Sequence, residues 1–350
     1  MKKQLLATLI TASFASAALA QSNVTIYGVV DTGINYSKTG GGSDSSSWGM
    51  GSLQSGSRIG FRGTEDLGGG TKAIFTLENG FNTSDGSFGQ STDKTREFGR
   101  QAFVGLSGDW GTYKMGRQYN PIRTALESVS PFEIGLAGNI LTIFDAHGER
   151  SDNMANYTLP NMHGFSGQVA YSLGKEPSTT GSVGKQWGFS TNYTRGPANV
   201  VLAYHHTDLT SSTTPYTDNG SKKTTMLGGT YDFGMVKAHA AYAWNKGENL
   251  SGVDNLDTRD MMVGVTVPVN SVSRVLASYM RKDNKLTSNA DTNIWSIGYT
   301  YDLSKRTNLY ASYAKLTNDA AAKLAIKDAV GTISNDYDPS TINFGIRHKF

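Results

Sequence analysis

Apolar and polar residues alternate one by one along most of this chain. Ala73, Phe75, Leu77, Asn79 and Phe81 share one parity, and Lys72, Thr76 and Glu78 lie on the other. Val236, Ala238, Ala240, Tyr242 and Trp244 alternate with Lys237, His239 and Asn245. Met261, Val263, Val265 and Val267 alternate with Gly264 and Thr266, and Trp295, Ile297, Tyr299 and Tyr301 with Ser296, Thr300 and Asp302. A period of two with one apolar face is the signature of a half-buried strand. Marking every such run predicts sixteen strands, at 23–36, 57–63, 71–81, 97–107, 111–118, 151–158, 166–173, 185–195, 198–208, 223–233, 236–246, 260–267, 272–283, 292–302, 306–316 and 341–350. The connections alternate in length. Short ones such as Gly108-Asp109-Trp110, Gly196-Pro197 and Gly234-Met235 have tight-turn composition. Long ones, at 37–56, 82–96, 119–150, 209–222, 247–259 and 317–340, are rich in Ser, Thr, Asn, Asp and Gly.

Two architectures fit this pattern: a secreted soluble β-protein, or a barrel crossing a membrane. No stretch after residue 20 has the roughly 20 apolar residues that a transmembrane helix needs. A transmembrane barrel shows no such run, because only every second residue meets lipid. The even strand number and the sorting of short and long connections favour the barrel; a sandwich has no reason to segregate them. Tyr27, Trp110, Tyr113, Tyr157, Tyr171, Trp244, Tyr299, Tyr301, Tyr310 and Tyr313 fall near strand ends, where an aromatic ring with a polar tip suits the boundary between hydrocarbon and water. Phe344, Ile346, His348 and Phe350 share one parity up to the last residue, so the terminus is expected inside the closed sheet. The expected fold is all-β: a sixteen-stranded antiparallel transmembrane barrel with short periplasmic turns and long extracellular loops.

Residues 1–20 are of another kind. Lys2 and Lys3 precede an uncharged run from Leu5 to Ala18, and Ala18-Leu19-Ala20 is a small-x-small cleavage site. This is the layout of a secretory signal peptide, and the mature chain, 21–350, is expected to begin at Gln21. The formal net charge of +3 drops to +1 without those two lysines, so the basic excess of a nucleic-acid binder is missing. The absence of cysteine fits export.

Catalytic and cofactor signatures are lacking. There is no Gly-x-Ser-x-Gly and no His-Glu-x-x-His. Gly68-Gly69-Gly70-Thr71-Lys72 lacks the spacing of a phosphate-cradling loop and joins two strands. His205 and His206 are neighbours on a strand, so their rings point to opposite faces and share no metal. No cofactor or metal is expected, and no enzyme activity.

Several motifs together resemble the general diffusion porins of Gram-negative outer membranes, most closely the β-proteobacterial trimeric type. They are Val24-Thr25-Ile26-Tyr27-Gly28-Val29-Val30-Asp31, Ser57-Arg58-Ile59-Gly60-Phe61-Arg62-Gly63-Thr64-Glu65-Asp66-Leu67-Gly68, Arg100-Gln101-Ala102-Phe103-Val104-Gly105-Leu106, Gly116-Arg117-Gln118, Leu303-Ser304-Lys305-Arg306-Thr307 and Gly345-Ile346-Arg347-His348-Lys349-Phe350. The resemblance runs from Asn23 to Phe350. It implies one subunit of a homotrimer in the cell outer membrane, in contact with lipid and lipopolysaccharide and passing small polar solutes and ions. It also implies that the third long loop, 119–150, folds inward and narrows the pore. The family's wall arginines match Arg58, Arg100 and Arg150, and its acidic partners match Glu78 and Glu133. The family's loop often reads Pro-Glu-Phe-Gly, where this chain has Pro131-Phe132-Glu133-Ile134-Gly135; Asp145 and Glu149 are reserve acidic candidates.

The residues themselves speak for some of these roles. Ile59 and Phe61 claim the lipid side, and an arginine at the membrane midplane costs about 2–4 kcal/mol, so Arg58 points inward. Glu78 lies opposite Phe75 and Leu77 and is also inward. Arg100 is undecided, since Ala102, Val104 and Leu106 share its parity. Arg150 sits at a loop–strand junction where periodicity is silent. Two unit charges about 7 Å apart across a pore interact by about 0.6 kcal/mol in water and by about 2 kcal/mol at an effective dielectric of 20. The expected function is therefore a non-specific diffusion pore with mild anion preference. A substrate-selective channel on the same barrel would line its lumen with aromatics. A barrel-embedded hydrolase would need a nucleophile or carboxylate–histidine cluster at a rim, and a structural or adhesive barrel would conduct nothing.

Overall fold

The computed structural model describes residues 23–38, 46–90, 96–174, 184–210, 218–327 and 337–350. The expected signal peptide, 1–20, lies outside these residues. Among the described residues, seventeen strands form one antiparallel sheet. They are β1 (Asn23–Lys38), β2 (Ser46–Gly51), β3 (Arg58–Gly68), β4 (Thr71–Gly80), β5 (Gln101–Gly108) and β6 (Gly111–Tyr119). Next come β7 (Arg150–Thr158), β8 (Phe165–Ser172), β9 (Gln186–Arg195), β10 (Ala198–Thr210), β11 (Asp218–Asp232) and β12 (Lys237–Glu248). The last are β13 (Asp254–Asn270), β14 (Ser273–Asn284), β15 (Thr292–Asp302), β16 (Thr307–Asn318) and β17 (Ser340–Lys349).

The sheet closes on itself. One edge of β1 pairs with β17, from Val29↔Lys349 to Lys38↔Ser340. Its other edge pairs first with β3, from Asn23↔Thr64 to Val29↔Arg58, and then with β2, from Gly33↔Gly51 to Lys38↔Ser46. So β2 and β3 share one place in the wall, and the barrel has sixteen places, as the alternation predicts. One expectation fails: 37–56 is not wholly a loop. Ser46-Ser47-Trp48-Gly49-Met50-Gly51 reads as loop because serine and glycine dominate it, yet Trp48 and Met50 face outward on a short strand.

The two faces divide as predicted, except that Tyr27 and Tyr310, expected among the rim aromatics, turn inward, where their hydroxyls donate to Glu78 and Asp31. Val104, Met115, Val263 and Trp295 are exposed on the outside, whereas Ser278, Ser296, Thr300 and Asn343 are enclosed. Outward aromatics gather at both rims: Tyr36–Trp48, Trp187–Tyr204 and Trp295–Tyr313 toward the long loops, Trp110–Tyr157 and Tyr231–Phe233 toward the short turns. Gly68, Gly69 and Gly70 all take positive φ, so the glycine run is a turn between β3 and β4.

The third long loop enters the lumen. Asn120 caps a helix, α1 (Pro121–Val129): its side chain accepts from the Arg123 N–H at 3.0 Å, and Pro121 occupies the first turn. The sequence reading expects no helix here, although Ile122, Ala125, Leu126 and Val129 repeat at helical spacing. That face packs on lumen-facing Val201, Ala203, Met226, Ala241 and Ala243, so the wall beneath the helix is apolar on its inner side too. Each of Ile122, Leu126 and Val129 is buried, which stabilises the loop by about 1.5–3 kcal/mol per side chain. The helix ends where Ser130 turns extended before Pro131, and the His239 ring donates to the freed Val129 carbonyl at 3.0 Å. Farther on, the Leu136 N–H donates to the Leu53 carbonyl at 2.6 Å and the Ala137 N–H to Ser312 Oγ at 3.0 Å, which carries the loop across to β16.

The division of faces sets a test. Val263→Arg, in mid-strand on the lipid side, should destabilise the folded protein in lipid vesicles by about 2–4 kcal/mol in urea titrations.

Candidate pore constriction

Four arginines converge beside α1. Arg58 begins β3 and points inward, as its parity requires; its Nε is 3.6 Å from Glu78 Oε2. Arg100 Nε is 2.7 Å from Glu78 Oε1 and is almost fully buried. Its parity alone would send it to lipid. It escapes because β5 begins only at Gln101, which pairs with Glu78. Before that point the chain is no longer bound to alternation, and the guanidinium turns inward. Arg150, the first residue of β7, donates to the Tyr119 hydroxyl at 2.9 Å. Arg123 comes from α1 and was not foreseen. It pairs with Glu127 one turn on and lies 3.7 Å from Glu149.

Tyr119 is the hub of this group. The Arg123 and Arg150 guanidinia lie 3.9 and 4.4 Å from its ring centre, and its hydroxyl accepts from both Arg100 and Arg150. Cation–π attraction plus a shared acceptor holds like charges together that would otherwise repel. Glu78 stands on the arginines' own side of the lumen. It sits among the arginines, in contact with Arg58 and Arg100 and accepting from the Tyr27 hydroxyl at 2.9 Å, rather than across the pore from them. Glu149, held in reserve by the sequence reading, joins the cluster at 3.8 Å from Arg150. Asp145 is drawn aside to Lys222 on the wall.

Two water-accessible cavities of about 560 and 720 Å³ adjoin here, the larger toward the short turns. Both are lined by Gln54, Glu127, Glu133, Arg347 and Lys349, which therefore mark the neck between them. Glu133 stands on the loop at positive φ and faces this neck. Arg347 and Lys349 were missed, although they alternate with outward Phe344 and Ile346 on β17. Among the described residues, seven cationic and four acidic side chains line the smaller cavity. Three of the four acidic charges are already engaged: Glu78 with Arg58 and Arg100, Glu127 with Arg123, and Glu149 with Arg123 and Arg150. The arrangement presents a cationic surface to anything passing through.

The far end of the inward loop is tied to the wall by His147, whose ring nitrogens lie 2.8 Å from Thr207 Oγ1 and 2.9 Å from Thr224 Oγ1. Burial first, and the nearby charge of His206 second, push its imidazole down to about 3. His205 packs tilted against His147 inside the barrel while His206 stacks with Trp187, so the two neighbours do point to opposite faces.

Comparison with known proteins gives a consistent result. The family model described as Gram-negative porin matches residues 7–321. An outer membrane porin protein of Bordetella pertussis is 36% identical, with all of both chains aligned, and outer membrane porin protein 32 of Delftia acidovorans is 33% identical over the same extent. The solved structure of an anion-selective porin from Comamonas acidovorans superposes with a TM-score of 0.82 at 30% identity, covering 94% of this chain and 100% of that one.

Two measurements follow from this geometry. Glu78→Gln should leave the buried Arg100 charge short of its partner and destabilise the barrel by roughly 3 kcal/mol in urea unfolding. His147 should stay neutral in the folded barrel down to about pH 3. The unfolded ring protonates near 6.5, so its contribution to stability is complete above that value and lost as pH falls toward 3. A ring nitrogen shift that titrates near 6.5 in the folded protein would contradict this.

Proposed function

The chain belongs to the Gram-negative porin family, and from that premise we propose that it is a general diffusion channel of the outer membrane with anion preference, whose selectivity is set at the neck beside α1. The cationic surplus around that neck is the observation that carries the reading, since the chain as a whole is nearly neutral. Arg58, Arg100 and Arg150 supply the basic wall together with Arg123, while Glu133 offers the counter-charge on the loop. Glu78 acts differently: it neutralises part of the arginine cluster and keeps it assembled. An anion entering the neck meets guanidinia held in place beforehand, and it exchanges water for N–H donors with little reorganisation. A cation meets carboxylates that are largely engaged. No bond is made or broken, and no catalytic group is needed; the gradient drives transport.

We further assign to the chain export with removal of residues 1–20 and assembly as a homotrimer among outer-membrane lipid and lipopolysaccharide. The anion-selective character of the Comamonas acidovorans porin supports the selectivity assigned to this chain.

Planar-bilayer recording of the purified protein tests the reading. Conductance should appear in groups of three steps, and the reversal potential in a salt gradient should favour chloride over potassium. The double variant Arg58→Gln, Arg150→Gln should lower the anion-to-cation permeability ratio by roughly threefold or more per charge removed, the factor that about 0.6 kcal/mol represents. An unchanged ratio would overturn the assignment.

A further inference from the structure

Asp31 is a fully buried carboxylate that the permeation reading does not use. It lies on β1, on the lumen side, where β2 has ended and β3 has not begun. The intervening residues 52–57 leave the wall and fold inward over it. Their backbone N–H groups converge on the carboxylate: Leu53 on Oδ1 at 3.1 Å, and Gln54 and Ser55 on Oδ2 at 3.1 and 2.7 Å. The Tyr310 hydroxyl donates to Oδ1 at 2.7 Å. Ser57 and Ser52 close the arrangement by donating to the Asp31 carbonyl at 3.0 and 3.1 Å. Three consecutive backbone donors aimed at one anion form a nest, and a negative charge is the group such a nest favours.

What this nest holds lies at the neck. Gln54 lines both cavities, and its amide oxygen accepts from Asn308 at 2.8 Å. The Leu53 carbonyl accepts from the Leu136 N–H of the inward loop, and Leu53, Phe132, Leu136, Leu276 and Tyr310 form one buried apolar cluster around that contact. The space is tight: a Cβ on Gly135 would meet the Gln54 carbonyl at 2.0 Å. The Ser55 hydroxyl accepts from Arg347 Nη1 at 2.8 Å. One carboxylate therefore fixes a segment that contacts the inward loop, a neck side chain and a neck arginine.

We propose that Asp31 is the positioning residue of the constriction: its charge pins residues 52–55, which in turn set the width of the neck and the orientation of Arg347. The proposal rests on the channel reading above. Asn at position 31 would be nearly the same shape, but it has one acceptor oxygen and turns an N–H₂ toward backbone donors. The segment would then detach while the wall register, set by the pairing of β1 with β3 and β17, stays in place.

The test compares wild type with Asp31→Asn as detergent-extracted trimers in planar bilayers, with heat-modifiable gel mobility reporting that the barrel has formed. Wild-type conductance establishes the channel; its absence would defeat the channel reading itself. Given that conductance, Asp31→Asn should open the neck, raising single-channel conductance roughly 1.5-fold or more with increased open-state noise. A Leu53→Cys, Leu136→Cys pair in the Asp31→Asn background, in a chain with no other cysteine, should return conductance to the wild-type level when oxidised and release it when reduced. A purely structural role would lower the yield of folded trimer and leave these readouts unmoved. If Asp31→Asn does not fold, Tyr310→Phe removes one donor of four and should raise conductance in the same direction by less. Wild-type conductance in whichever variant forms trimers would overturn the proposal.

Discussion

A backbone that crosses hydrocarbon has no water to bond with, so every N–H and C=O must find a partner within the protein. Strands can meet that demand only by closing into a cylinder, and here the closure is made by β1 pairing with β17 on one edge and with β2 and β3 on the other. Closure in turn sorts the side chains. With a period of two, one parity must satisfy lipid and the other is left to line an enclosed space. The lumen is thus a by-product of the same rule that makes the wall insoluble in water on its outside. Everything polar that the protein does takes place on the inner parity.

Sixteen strands enclose a water-filled channel, and the inward loop occupies part of it. Its helix is held by ordinary hydrophobic packing on an apolar patch of inner wall, a local reversal of the polar-inside pattern. Its tip is held by hydrogen bonds to the segment folded over Asp31 and to Ser312. The neck is the meeting place of these attachments. Selectivity can therefore arise from a few side chains fixed at close quarters, in a chain whose net charge is small. Clustering four arginines is costly in itself, and Tyr119, Glu78 and Glu149 offset that cost by stacking, accepting hydrogen bonds and pairing.

The amino-acid order by itself determined the wall: the sixteen places, nearly all strand limits, the outward aromatics at the rims apart from Tyr27 and Tyr310, and the inward direction of Arg58 and Glu78. These follow from alternation, a local property that a residue's immediate neighbours reveal. Arg347 and Lys349 were legible by the same rule on β17. Only the tertiary structure decided the rest. Arg100 breaks its own parity because β5 starts only at Gln101, four residues after the expected 97, and strand limits depend on the partner strand. Arg123 reaches the cluster on a helix whose stability comes from the wall it packs against. The contacts of Glu78 with both Arg58 and Arg100, and those of Asp31 with groups far away in sequence, Tyr310 among them, appear only in the folded barrel. The physical reason is the same in each case: alternation assigns a residue to a face, but which charges touch across a lumen depends on where a closed sheet brings distant strands and an inserted loop together.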